Sequence, residues 1–319
     1  MVVCEPAGGR DQAQTTLVDA LFGATADAGS IPAASIKVRE TTAVNVELAQ
    51  RIALVAHGNA FLSGLIESPR DLLKENSAFQ YVRSVEFRMS GRSIHRVDLW
   101  FSALARRKAN RLWVRGNDLV AEGDGVREVW LPSGVLISKR FEERRDRQLG
   151  VLIETGVWNE EEHYAISSVM ARTERPWRLL FKQESRKSRP RDGVSLPASR
   201  AGLVEAVTEA REFSRRQAMG FVGWFDKSLS FLRSRNPVPP YYPDMLPPVG
   251  YSIDARQVIA AAAHSWVFGP WGWGDRAFKT DAVEADFRRV DAKLRASVWG
   301  SLMAAANSFD GSQEGRKAV

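Results

Sequence analysis

Cysteine is almost missing. Cys4 is the single example in 319 residues, so no internal disulfide can form and no multi-cysteine metal site can be built. That usage fits a reducing compartment and predicts a cytoplasmic protein. A secretory pattern is also lacking, because Met1–Arg10 does not place an apolar run behind a basic start. Long hydrophobic runs are scarce. The longest uncharged apolar stretch, Ile52 to Ile66, contains His57, Asn59, Gly58 and Gly64 and falls short of the ~20 residues of a membrane helix, so no membrane partner is expected. Neither glycine-rich phosphate-binding fingerprint occurs, and with them goes the usual support for a nucleotide cofactor. The Gly-x-Ser-x-Gly elbow is absent, and Cys4 precedes any element that could hold a base beside it, so no hydrolase nucleophile has its usual setting. No cofactor and no metal are expected.

Core material, by contrast, is plentiful. Apolar residues make up 44% of the chain, with ten Trp and fifteen Phe, a globular balance that needs no staples. The length points to two domains. Arginine greatly outnumbers lysine, which resembles the codon bias of a GC-rich bacterium. The net charge is +7, and the middle of the chain carries it: residues 81–200 hold 24 basic and 16 acidic side chains. Signs are interspersed there, as in Phe141–Gln148, which is the pattern of a solvated surface.

Apolar spacing predicts a short helix over Thr15–Phe22, a loop over Gly23–Ser35, and a stronger helix from Val44 to Ile66. From Phe79 to Met89 the period changes to two, which predicts a half-buried strand. Further strands are expected at Leu112–Arg115, Asp118–Ala121, Val126–Leu131, Val135–Ser138, Leu149–Glu154, Tyr164–Arg172 and Trp177–Gln183. Gly116–Asp118, Gly123–Gly125 and Pro132–Gly134 supply turn residues between them. Val97 to Asn110 fits either strand or helix. Short turns join antiparallel neighbours, so the middle reads as an antiparallel β-meander or partial barrel with N-terminal helices. A charge-rich linker at 185–199 then leads into an all-α module over 200–309. The apolar stripes there run through Leu203, Val207, Ala210 and Phe213, through Val222, Phe225, Leu229 and Leu232, and from Val283 to Leu302. Ser252 is the expected cap of a helix over Ile253–Phe268, and Asp281 with Glu284 resembles a capping box. The fold class is therefore α+β, with domains 1–184 and 200–309 and a disordered tail at 310–319.

The most unusual local sequence joins two of these helices. His264–Asp275 packs Trp266, Phe268, Trp271 and Trp273 around Gly269, Pro270, Gly272 and Gly274. Gly269 and Pro270 predict the end of the preceding helix. Trp266 reads as a core plug, and Trp271 and Trp273 read as partly exposed. Tyr251–Arg256, Ala262–Gly269 and Ala304–Ser308 resemble an uncharacterised bacterial family in which a helix ends in Trp-Val-Phe-Gly-Gly-Met-Gly-Ser-Trp-Asn-Asp. This chain has Pro270-Trp271-Gly272-Trp273-Gly274-Asp275 after Gly269, so it departs from that signature within the loop. The resemblance spans the last third and implies a bacterial helical module with no known activity.

Three functions follow from these residues. The first is a non-catalytic interaction protein that docks a protein partner through Trp271, Trp273, Tyr241 and Tyr242. The second is nucleic-acid binding, with Arg106, Arg107, Lys108, Arg111, Arg115, Arg186, Lys187, Arg189 and Arg191 on phosphates and Trp113 or Trp130 stacking on bases. The third is an enzyme using His264, Asp275 or the Glu160–His163 group. His57 and His264 lie in apolar helices and read as hydrogen-bonded core histidines.

Overall fold

The computed structural model describes residues 46–67, 72–80, 82–89, 91–116, 118–123, 126–137, 177–184, 194–268, 273, 278 and 280–312, with the side chains of 118–137 and of 177–178 excepted. The expected helix at Thr15–Phe22, the loop after it, the strands at Leu149–Glu154 and Tyr164–Arg172, and the linker up to residue 193 lie outside them. So does residue 313 onward.

The chain begins its described part with α1 (Val46–Leu62), whose buried residues occupy nearly its whole circumference. A helix apolar on all sides belongs inside a fold, and α1 packs both on the sheet and on the last helix. Two of its buried polar side chains reach backbone groups of neighbouring elements: Gln50 Nε2 donates to the Ala78 carbonyl and Asn59 Nδ2 to the Leu112 carbonyl, each at 3.0 Å. Then come α2 (Leu72–Glu75), a 3-10 turn (Ser77–Phe79), β1 (Val82–Met89), β2 (Arg92–Ile94), α3 (Val97–Arg106), β3 (Ala109–Arg115), β4 (Asp118–Gly123), β5 (Val126–Ile137) and β6 (Trp177–Glu184). The ambiguous stretch is thus helix followed by strand. Val97, Trp100, Phe101 and Leu104 are buried at helical intervals, and Trp100 stacks on Phe87 of β1 with centroids 3.9 Å apart.

The six strands form one sheet in the order β2-β1-β6-β5-β4-β3. The expectation of a purely antiparallel sheet is corrected, because β1 and β6 run parallel, and the sheet is open, with β2 and β3 at its margins. Arg83 is the extra residue of a bulge in β1, since Val82 faces Trp177 and Ser84 faces Arg178. Pro132–Gly134, expected to reverse the chain, instead lie within one 12-residue strand whose register shifts between Pro132 and Val135. Pairing of β5 with β4 ends at Trp130, so beyond that point proline faces no second strand that would need its missing N–H.

Four helices follow: α4 (Leu196–Arg216), α5 (Val222–Phe231), α6 (Ile253–His264) and α7 (Asp281–Ala306). Leu196–Ser199, assigned to the linker from sequence, are the first turn of α4, capped by Ser195. Ser252 caps α6, accepting from Ala255 N–H at 3.2 Å. That helix stops at His264, short of Gly269-Pro270, because the Trp224 indole donates to the His264 carbonyl at 2.7 Å and occupies an end-turn acceptor. The cap of α7 is Thr280 rather than Asp281. The sheet and these helices share one compact unit, Val44–Trp266 with Ala277–Val319. Val267 and Trp273 belong to a second, small unit, in which Trp273 N–H donates to the Val267 carbonyl at 3.3 Å.

Candidate nucleic-acid interface

Residues 82–115 contain nine basic and two acidic side chains, a net +7 that equals the charge of the whole chain. Both acids are spent locally. Glu86 accepts from Arg88 Nε at 2.7 Å and from Ser93 Oγ at 2.8 Å, and the hydrogen bond from Arg88 holds its carboxyl below the usual carboxylate range. Asp98 is paired with Arg96 at 2.5 Å and is held down in the same way. The basic surplus is therefore not cancelled within the segment.

Topology decides where that surplus sits. Arg83, Arg88 and Arg92 are exposed on β1 and β2. Arg106, Arg107 and Lys108 are exposed where α3 turns into β3, with Lys108 in the left-handed region at φ 61°. Arg115 is exposed at the end of β3. Lys182 of β6 is exposed as well, and its neighbours Phe181 and Leu179 are buried, so successive residues point to opposite faces of the strand.

The helical part shows the opposite pattern. Lys293 donates to Glu205 at 2.6 Å and to Glu209 at 2.8 Å, and Arg289 reaches Glu209 from α7 as well. Arg216 pairs with Asp286 at 3.0 Å, and Arg211 with Asp226 at 2.8 Å. Cations there meet acids on the neighbouring helix, and Lys293, then Arg289, lower the Glu209 carboxyl.

Arg111 is half-buried and turned inward: one guanidinium nitrogen donates to the Asn307 carbonyl at 2.6 Å and the Phe309 carbonyl at 3.2 Å, while the group lies 4.0 Å from the Trp113 ring centroid. Arg186, Lys187, Arg189, Arg191, Trp271, Asp275 and the Glu160–His163 group lie outside the described residues, as does the Trp130 side chain. Tyr241 and Tyr242 are half-buried, Tyr242 at φ 50°. Trp273, expected to be partly exposed, has no exposed surface at all, and Trp266 is buried.

His57 and His264 are both buried or nearly so and hydrogen-bonded. His57 Nε2 lies 3.1 Å from the Asp244 carbonyl, and burial lowers its pKa. His264 Nδ1 lies 2.9 Å from Ser228 Oγ, its ring stacks on Trp224 at 4.3 Å, and burial with the nearby Lys227 charge pushes it down to about 4. No acid completes a catalytic relay with this pair in the hydrogen bonds described. Among the described residues no group of three or more His, Cys, Asp or Glu side chains could hold a metal ion, and no helix is long and apolar enough to cross a membrane.

Arg83, Arg88, Arg92 and Lys182 are absent from the sequence-derived candidates. Counting charge over 81–200 averaged a strongly basic stretch with acid-rich segments beyond it; a window of some 35 residues would have isolated it. The fold and charge thus define a mixed α+β protein with a cationic sheet. The chain matches no family model, no curated protein and no solved structure.

Proposed function

We propose that this chain binds nucleic acid through the cations of residues 82–115. The observation that carries the reading is the asymmetry of charge: the sheet segment holds a net +7 with both its acids already paired, whereas the cations joining the C-terminal helices are matched to acids. A nucleic-acid backbone is a regular polyanion, and neutralising its phosphates releases condensed counterions, which favours a cationic surface without needing base contacts. Docking of a protein partner is less well supported, because Trp273 is buried and Tyr241 and Tyr242 are only half exposed.

Fluorescence anisotropy with a labelled duplex of about 20 base pairs tests this between about 50 and 200 mM salt. Binding with a log–log salt slope of about −5, the value for six phosphate contacts, is expected. Failure to bind at the lowest salt sinks the reading.

A further inference from the structure

α3 turns one side to the core and the other to solvent. Val97, Trp100, Phe101 and Leu104 are buried, and Trp100 stacks on Phe87, so the helix covers the face of the sheet to which Phe87 points. At about 100° per residue, the opposite stripe runs through Leu99, Ser102 and Arg106. Leu99 leaves 47% of its surface exposed, and Arg106 is exposed as well. Half-buried Ser102 donates its hydroxyl to the Asp98 carbonyl at 2.8 Å, which leaves the oxygen lone pairs as acceptors.

Cations stand at both ends of this stripe. Arg92 and Arg96 precede α3; Arg92 pairs with Met89, two residues on from Phe87, and so lies on the face that α3 covers. Arg106, Arg107 and Lys108 come at the other end, and no Asp or Glu occurs between Asp98 and Asp118. All five cations are exposed. Asp98, the one acid of α3, is held by Arg96. Lys108 adds a separate observation. It takes the left-handed conformation at φ 61° just past the helix end, where glycine fits without steric cost. A lysine there accepts backbone strain and supplies a charge.

Resting on the nucleic-acid reading above, we infer that α3 is the element that enters the major groove of duplex DNA, with Leu99 and Ser102 toward the base edges and the cations at its two ends on the phosphates of the groove walls. The ten residues of α3 span about 15 Å. A B-form major groove, about 12 Å wide and about 8.5 Å deep, admits one helix. The fit is to DNA in particular, because the major groove of double-stranded RNA is too deep and narrow for side chains to read, and such a duplex meets only the cations. Lys182 takes no part in the insertion. It follows Phe181, which stacks on Phe87, and it shares a cross-strand row with Leu131, Asp118 and Arg115. Residues of one row share a face, so Lys182 and Arg115 point away from α3.

The test uses the full chain and labelled duplexes of about 20 base pairs in one sequence. They are plain DNA, DNA whose cytosines carry glucosylated 5-hydroxymethyl groups that fill the major groove and leave the phosphates unchanged, and RNA. The unaltered chain should bind plain DNA about tenfold or more tighter than either of the others. R106A/R107A/K108A should flatten the salt slope on plain DNA by about 3, and K108G by about 1. K108G should also melt no lower than the parent, which separates a lost charge from a lost fold. S102W, which adds neutral bulk to the outward stripe, should abolish the preference for plain DNA while RNA binding and the circular dichroism spectrum stay as in the parent. K182A/R115A, on the other face, should keep the preference. Equal affinity for the three duplexes, a preference that survives S102W, or one that K182A/R115A removes overturns the inference while nucleic-acid binding itself stands. Absence of any binding to plain DNA at about 50 mM salt overturns the nucleic-acid reading and this inference together.

Discussion

Asn59 of α1 and Asn307 at the end of α7 do the same job on alternate residues of β3. Asn59 Oδ1 accepts from Leu112 N–H at 2.6 Å and its Nδ2 donates to the Leu112 carbonyl at 3.0 Å. Asn307 repeats both bonds on Val114, each at 2.8 Å. Leu112 and Val114 turn their peptide groups away from β4, so two side-chain amides stand where a seventh strand would pair. An exposed edge invites pairing with other chains, and here it is closed by side chains from both ends of the described fold.

Replacing either asparagine by alanine leaves a donor and an acceptor of β3 without their partner. Asn59→Ala should cost about 2–4 kcal/mol, because that site is dry, and Asn307→Ala about 1–2 kcal/mol, because water reaches its half-buried position. Asn59→Asp should be no better than alanine, since a carboxylate accepts from Leu112 N–H but repels the carbonyl. Urea midpoints rank the three, and equal small losses at both positions would show that the edge does not depend on them.

Gly58 and Gly202 should respond to alanine with opposite signs. A Cβ on Gly58 would meet Leu112 Cδ1 at 2.4 Å and Phe101 Cε1 at 2.6 Å, whereas one on Gly202 meets nothing within 4 Å. Both are helical, so alanine contributes up to about 1 kcal/mol of propensity at each. At Gly58 overpacking of about 1–3 kcal/mol outweighs that gain. A thermal melt showing Gly58→Ala more stable than the parent would contradict the close approach of α1 to β3.

His264 makes stability depend on pH. Its ordinary value of 6.5 falls to about 4 in the fold, so between these values the unfolded chain binds a proton that the native chain does not. Stability from this group is complete above about 6.5 and is lost as pH falls toward 4, by up to about 3 kcal/mol. The lowered His57 acts in the same direction. His264→Asn, which can retain a bond to Ser228, should flatten the urea-midpoint profile between pH 7 and pH 5 relative to the parent; an unchanged slope would rule His264 out as its source.

Trp266 and Trp273 sit on either side of the loop proline and are both buried, at 8% and 0% exposure. Alanine at either should cost about 3–5 kcal/mol through lost transfer and cavity terms. A change below about 0.5 kcal/mol at Trp273 would mean that this indole is free in solution, which is the condition for docking a partner.

The long helices were legible because apolar periodicity leaves a local trace. Leu48, Ile52 and Val55 mark α1, and Phe287, Val290, Leu294 and Val298 mark α7; all are buried. The Val97, Trp100, Phe101 and Leu104 spacing was equally available, but Val97, Leu99 and Phe101 alternate as well, and only burial of Trp100 against Phe87 decides for helix. Pro132–Gly134 have the composition of a turn, and their strand conformation depends on β4 ending alongside Trp130, which no local pattern announces. The end of α6 escaped for the same reason, since it is Trp224, from another helix, that takes the His264 carbonyl. Of the candidate interface, Arg106, Arg107, Lys108 and Arg115 could be read directly. The exposure of Arg83, Arg88, Arg92 and Lys182 could not, because it depends on how the strands pack.

The closure of β3 by Asn307 also sets a sequence of events during synthesis. Val114 and its partner are separated by 193 positions, so a chain emerging from the ribosome carries β3 long before the residue that covers it exists. At roughly 5–20 residues per second, that interval lasts on the order of ten seconds or more. Over that time Asn59 can already hold Leu112, but the Val114 side of the strand stays open to any other extended segment. The nascent chain is thus open to mispairing along that side of β3 from the emergence of Val114 until Asn307, the residue that caps α7, is added.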